Sequence, residues 1–157
     1  MKRLILALLV LTGLSGCMTI KTPDMSMVSN AIHEQVIDVP GKSRSQIFEQ
    51  SKQWIALNFV SAKKVIEYDN AAEGKIIGNS SAVVYFNTEG SMMGKMSYPQ
   101  TVPFIMVEDI KDGKARIVFN GGAEMPVYAW EQMKPKFVNM GSGLQSYLAA
   151  PTEVKNW

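Results

Sequence analysis

The chain has 157 residues, of which 46% are hydrophobic, a formal charge of +2 and a single cysteine. This length suffices for one domain with a packed core, and one cysteine excludes an internal disulfide. Basic and acidic residues nearly balance and form no sustained basic run, so nothing in the sequence supports nucleic-acid binding or a charge-based membrane surface.

The N-terminus carries a targeting signal. Two basic residues precede an apolar run over residues 4–14, which is too short to span a membrane, since a span needs about 20 apolar residues. Residues 14–17, Leu-Ser-Gly-Cys, resemble the lipobox of bacterial lipoproteins. We therefore predict a signal peptide over residues 1–16 and lipidation of Cys17. The alternatives are an uncleaved signal anchor and an ordinary secretory signal with a chance cysteine.

The same resemblance implies a location. Lipoproteins carry two or three acyl chains on this cysteine, which would hold the protein to a membrane without any other cofactor. Position 18 is Met rather than the Asp that marks inner-membrane retention in lipoprotein families. We therefore expect a cell-envelope protein, at the outer membrane facing the periplasm rather than at the inner membrane. Residues 17–30 are predicted as the lipidated cysteine and a flexible tether, and residues 31–157 as the folded domain.

The domain is predicted to begin with a strand and a helix. The strand covers residues 32–39, and Pro40-Gly41 ends it. Ser43 and Gln46 have the spacing of a capping box, which marks a helix start. The helix is expected to end near residue 62. Its buried face is predicted from helical spacing to contain Ile47, Ser51, Trp54, Ile55, Asn58 and Phe59.

Strands and a second helical region follow. A bulge or break is expected at residues 78–81, and Pro103 favours an edge position or a strand that begins after it. Residues 88–100, rich in Gly, Ser and Met, are predicted as a loop. The C-terminal helix is expected in pieces, broken at Pro135. The predicted strands cover residues 65–69, 75–87, 101–109 and 114–120, and the helical pieces cover residues 128–133 and 137–149.

This order of elements predicts an α+β domain, with one curved antiparallel sheet and two helices packed on one face. Several segments also resemble a known family: residues 37–41, IDVPG; 45–48, SQIF; 54–59, WIALNF; 61–68, SAKKVIEY; and 73–78, EGKIIG. Together they resemble an uncharacterised bacterial domain of unknown function whose fold is like that of the TATA-binding protein (TBP-like). The resemblance implies the topology β-α-β-β-β-β-α. It implies no DNA binding, because function resides in sites rather than in folds.

No catalytic constellation is visible. His33 is the single histidine and stands in no nucleophile motif, so we expect an edge-strand or surface residue. The neighbouring acids Glu108 and Asp109 point to opposite faces of a strand and cannot act as a pair. We therefore predict no enzyme and no catalytic residue, but a module that binds or scaffolds another envelope protein. A small-ligand binder that uses the open face of the sheet is the alternative.

Methionines give the remaining hypotheses. Met92, Met93 and Met96 are candidate Cu(I) ligands, because thioethers select soft Cu(I). The simpler interpretation is that they fill irregular apolar gaps. Together with Tyr98 they also form a candidate partner-binding loop. The alternative is that the loop folds back over the sheet or its edge.

Overall fold

A computed structural model describes residues 20–59, 65–91 and 94–151 of the chain. The predicted lipidation site Cys17 and the candidate residues Met92 and Met93 lie outside the described residues. Among the helices in this part of the chain, none is long and apolar enough to cross a membrane. The elements in chain order are β1 (Met27–Ser29), β2 (Ile32–Asp38), α1 (Arg44–Asn58), β3 (Ile66–Asn70), β4 (Lys75–Ser91), β5 (Gly94–Lys111), β6 (Lys114–Asn120), β7 (Glu124–Pro126) and α2 (Val127–Ala149).

The main sheet has five antiparallel strands in the order β2-β6-β5-β4-β3, and both helices pack on the same face of it. The predicted α+β class, with two helices and an antiparallel sheet, is confirmed. Strands β1 and β7 pair as a separate two-stranded sheet that was not predicted. Each has only three residues, which is too few for a period-two pattern to be recognised.

Helix α1 begins as the sequence predicts and ends earlier. Ser43 and Gln46 form both hydrogen bonds of the capping box. The helix stops at Asn58, whose side chain is exposed and donates through Nδ2 to the carbonyl of Trp54 at 2.8 Å. Asn58 therefore does not belong to the buried face, because its amide instead binds the last turn of the helix.

The long hairpin of β4 and β5 corrects two predictions. The described part of residues 88–100 is not a loop, since the two strands pair as far as Ser91 and Gly94. Strand β4 is continuous through residues 78–81. The register irregularities lie on the partner strand β3, between Ile66 and Tyr68 opposite Gly78, and near the end of the arm, between Thr88 and Ser91. Residues with low β-propensity are held extended here by hydrogen bonds to the partner strand. The propensity of single residues does not include this stabilisation. We call residues 81–91 and 94–103, which extend beyond the five-stranded part, the arm.

The free edge of the arm explains Pro103. Strand β6 reaches only as far as Ile105 on β5, so Pro103 lies on an edge that no strand covers. The predicted edge position is confirmed. The ring supplies no N–H there, and this hinders pairing with another chain.

Helix α2 is continuous, so the predicted break at Pro135 is wrong. Proline removes one backbone hydrogen bond, but the apolar face on either side of it stays buried, at Met133 and Phe137. Gly141 lies where Gln35 of β2 crosses the helix. A Cβ at this position would be 2.1 Å from Gln35 Oε1, so the glycine permits this close approach.

The core lies between the helices and the covered face of the sheet. Its centre is an aromatic cluster in which Phe137 of α2 stacks on Phe119 with ring centroids 5.1 Å apart. Phe104 meets Phe137 edge-on, also at 5.1 Å. Offset and edge-on contacts of this kind add to the stabilisation that burial gives.

The segment before β1, predicted as part of a tether, is placed against the domain in the structure. The backbone of Lys21 exchanges two hydrogen bonds with Glu89 on the arm, with N–O distances of 2.7 and 3.0 Å. Farther along, Ser26 O accepts from Val127 N at 2.8 Å at the start of α2. The next ladder position after Lys21 is Pro23, which has no N–H to donate, and the pairing with β4 ends there.

Candidate functional site

The uncovered face of the main sheet is the candidate site, and we call it the open face. Alternation along the strands divides the side chains into a buried set and a set that faces outward. The strand register aligns the outward set in rows across β2, β6, β5 and β4. The rows are Ile32, Asn120, Ile105 and Asn79; Glu34, Val118, Val107 and Ile77; and Val36, Arg116, Asp109 and Lys75.

The third row is held by ion pairs centred on Asp109. This carboxylate accepts from Arg116 Nη2 at 3.0 Å, and its other oxygen lies 3.0 Å from Lys75 Nζ. Arg116 Nη1 is also 3.8 Å from Glu34 Oε1. Partial burial acts to raise the pKa of Asp109, but the hydrogen bonds and charges of Lys75 and Arg116 outweigh it and lower the pKa below its ordinary value.

Large apolar side chains are exposed on the same side of the sheet as this charged row, some on the open face and some on its continuation along the arm. Each of five is between 44% and 51% exposed, and they come from three strands. A surface that alternates apolar groups with internally paired charges has no single electrostatic sign, so it does not suit a phosphate backbone. The five side chains are Ile32, Val36, Val83, Tyr85 and Ile105.

A groove of about 1070 Å³ opens at one end of the open face. It is bordered by the start of α1, the β3–β4 turn and the β5–β6 turn. Arg44 N donates to Asp112 Oδ1 at 2.7 Å, so the N-terminus of α1 is already capped. The remaining charged side chains that line it are of both signs: Arg44, Lys111, Lys114 and Arg116, and Glu73 and Asp109.

Among the described residues, one acid is buried on the covered face, and the sequence did not indicate its burial. Glu108 is fully buried among apolar residues, and Ser51 Oγ of α1 donates to its Oε1 at 2.6 Å. Its Oε2 has no hydrogen-bond partner among the described residues. Burial raises the pKa of Glu108 to about 7, against the lowering effect of the Ser51 hydrogen bond. Glu108 follows Phe104 and Met106 at a spacing of two along the strand, and this period was the signal that could have placed it on their side.

The other predicted residues are dispersed. Glu108 and Asp109 do point to opposite faces, as predicted. His33 is on edge strand β2, where its ring stacks with Phe119 at 6.5 Å and its Nε2 is buried. Within the described ranges, no group of three or more His, Cys, Asp or Glu side chains could hold a metal.

The described residues of the methionine-rich segment form a strand rather than the predicted loop. Met96 and Tyr98 both lie on β5, and Tyr98 Oη donates to Met96 Sδ at 3.3 Å. Met92 and Met93 fall outside the described residues, so Cu(I) binding stays a prediction. The candidate partner-binding segment was predicted as a loop. Its two described members, Met96 and Tyr98, instead belong to a paired strand of the arm.

Known proteins resemble this chain in fold. A DUF4468 family protein from Bacteroides ovatus ATCC 8483 superposes with a TM-score of 0.55 at 14% identity, over 78% of this chain and 88% of that one. A TBP-like protein from Parabacteroides distasonis ATCC 8503 superposes with a TM-score of 0.51 at 8% identity, over 74% and 93%. No curated protein matches.

Sequence comparison agrees with these superpositions. A family model matches residues 33–121, more than half of the chain, which include α1 and nearly all of the five-stranded sheet. The chain therefore belongs to the DUF4468 family, a domain of unknown function with a TBP-like fold.

Proposed function

We propose that this protein is a lipid-anchored, non-enzymatic module of the bacterial envelope that binds a protein partner through the open face of its sheet. The observation that carries the proposal is the exposure of five large apolar side chains on the open face and its continuation along the arm, the same side of the sheet that carries the ion-paired row. The lipobox-like residues that end at Cys17 support the anchor, and the protein would face the periplasm from the outer membrane.

The chemistry of the open face favours a folded protein as the occupant. Protein interfaces combine apolar anchors with polar groups that are already paired, whereas an isolated phosphate group gains nothing from the apolar part. Asp109 is neutralised by Lys75 and Arg116 before any partner arrives. A partner with apolar side chains facing Ile105 and Val83, and polar groups facing the charged row, would match this face.

Site-specific photocrosslinking in intact envelopes tests the proposal. A photoreactive amino acid in place of Ile105 should give one defined crosslinked protein, because this side chain is central to the open face. The matched control is the same amino acid in place of Leu57, which is 72% exposed on α1. A product seen equally at both positions would overturn the choice of face.

Binding by the purified partner must then depend on the face. Ile105→Asp should abolish a complex that Leu57→Asp leaves intact, and both variants should keep the circular dichroism of the wild type. Failure of Ile105→Asp to weaken the complex contradicts the proposal. If the crosslinked product is a second copy of this chain, the partner assignment is wrong and the module is a homodimer.

The anchor has its own test. Metabolic labelling with an alkyne fatty acid should mark the wild type, and Cys17→Ala should lose both the label and membrane fractionation. An unlabelled wild type would overturn the lipoprotein assignment without affecting the open-face experiment.

Small-ligand binding is the second candidate, and the groove at the end of the open face favours it, since its volume of about 1070 Å³ is at the upper end for ligand pockets. A thermal-shift screen should then find a compound whose effect is lost in Lys111→Ala but kept in Lys95→Ala, a cation outside the groove. The absence of any stabilising compound would reject this candidate.

A further inference from the structure

The N-terminal segment enters the domain at the arm. This point of entry decides which part of the protein is nearest to the proposed anchor. Lys21 pairs with Glu89 near the far end of the arm through two backbone hydrogen bonds. The chain then runs to the start of α2, where Asp24 and Ser26 accept from backbone N–H groups. The entering segment is therefore attached to the arm, not to the groove end of the sheet.

The chain between the anchor and this attachment is short. Cys17 stands four positions before Lys21, and four residues span at most about 14 Å when fully extended. The opposite end of the hairpin is much farther away. From Glu89 to Lys75 along β4 the distance is about 45 Å at about 3.3 Å per residue.

Side chains at the end of the arm suit the headgroup region of a bilayer. Lys95 is exposed and forms an ion pair with Glu89 at 3.3 Å. Tyr98 is 45% exposed, and Ile20 of the entering segment is 55% exposed. Lysine and tyrosine side chains favour the polar–apolar boundary of a membrane, where each can place its apolar part inward. This preference needs no net positive charge, and here Lys95 and Glu89 balance each other.

From this geometry we infer that the end of the arm, with Lys21, Lys95 and Tyr98, lies on the lipid headgroups, and that the groove end of the sheet points away from the membrane. The inference rests on the proposed lipid anchor and adds an orientation to it. The partner proposed above would then approach from the side of the arm or from the aqueous end.

Fluorescence quenching at the bilayer surface tests the orientation. The mature chain from Cys17 is coupled through this sole cysteine to a maleimide lipid and inserted into phosphatidylethanolamine–phosphatidylglycerol vesicles that carry spin-labelled headgroups. One fluorophore is attached through an azide-bearing amino acid in place of Lys95, or of Ala72 in the β3–β4 turn as control. We expect strong quenching at position 95 and almost none at position 72.

Two variants connect this result to the Lys21 pairing. Lys21→Pro removes the N–H that donates to Glu89 and should reduce quenching at position 95. Thr22→Pro should not, because its N–H points away from β4. Equal quenching at both labels, or stronger quenching at position 72, would overturn the inference. Because the lipid is attached chemically, this outcome is independent of whether cells lipidate Cys17, which the fatty-acid labelling decides.

Discussion

Two neighbouring carboxyl groups on β5 show how differently the two faces of the sheet are built. Glu108 points into the core, has one hydrogen bond from Ser51, and has its pKa raised to about 7 by burial. Asp109 points to the open face, where Lys75 and Arg116 overcome partial burial and lower its pKa. One step along a strand therefore shifts the pKa values of two carboxyl groups in opposite directions.

The contrast extends to how each face is stabilised. The covered face depends on packing, with Phe119 and Phe137 completely buried. The open face is stabilised by exposed ion pairs, each of which contributes only about 0–1 kcal/mol. Substitutions on the covered face should therefore change stability, whereas those on the open face are free to serve recognition.

The largest expected loss of stability follows a substitution at the centre of the core. Phe137→Ala should lower the free energy of unfolding by about 3–5 kcal/mol, because it leaves a cavity between Phe119 and Phe104. Leu57→Ala, on the exposed side of α1, should change it by less than about 0.5 kcal/mol. Urea denaturation of the soluble domain measures both. Similar losses would contradict the assignment of the core to this face.

The second largest expected effect is a pH dependence of the free energy of unfolding that Glu108 causes. Its folded-state pKa of about 7 exceeds its ordinary value of 4.5, so the folded protein retains a proton that the unfolded chain has released. The contribution of Glu108 to stability should be fully present below pH 4.5 and be lost as pH rises through about 7. The shift corresponds to about 3 kcal/mol.

Glu108→Gln isolates this contribution, because glutamine has nearly the same shape and cannot ionise. The free energy of unfolding of the variant, relative to wild type, should rise by about 3 kcal/mol between pH 4.5 and a pH above 7. Asp109→Asn is the matched control and should gain far less over this interval, because the charge of Asp109 makes only the smallest contribution to the raised pKa of Glu108. A constant difference between Glu108→Gln and wild type would show that the buried carboxyl does not titrate there.

Much of the difference between the covered and the open face could be predicted from the sequence. Period-two alternation predicted the strands, and helical spacing placed Ser51 on the buried face of α1 before its partner Glu108 was known. The capping box at Ser43 was equally readable because it is local chemistry. These features depend on residues close together in the chain.

What the sequence did not reveal depends on distant partners. Residues 88–91 and 94–100 contain only two strong β-formers, Thr88 and Tyr98, and become strand because each half of the arm supplies the other's hydrogen bonds. Pro135 stays inside α2 because the buried residues on both sides keep the helix on the sheet. The attachment of Lys21 to Glu89 joins residues that no local pattern connects. The open face itself was anticipated only as the uncovered side of a sheet, since its rows require the strand register.

The smallest expected effect tests whether the ion-paired row is structural. Arg116→Gln removes two of the contacts around Asp109 and Glu34, but Arg116 is about half exposed, so the loss of stability at pH 7 should stay below about 1 kcal/mol. The pKa of Asp109 should rise toward its ordinary value, although Lys75 still binds it.

Nuclear magnetic resonance titration of the Asp109 carboxyl measures this directly. Lys114→Gln, which breaks only the pair with Asp38 at the same face, is the control and should leave the Asp109 titration in place.

A lowered pKa favours the folded state above the ordinary range of the acid, and this benefit is lost as pH falls through the folded-state value. Arg116→Gln should therefore lose less stability on acidification than wild type does. If it instead destabilised the protein as much as Phe137→Ala, the open face would be part of the structural framework, and its exposed apolar groups would no longer be free for a partner.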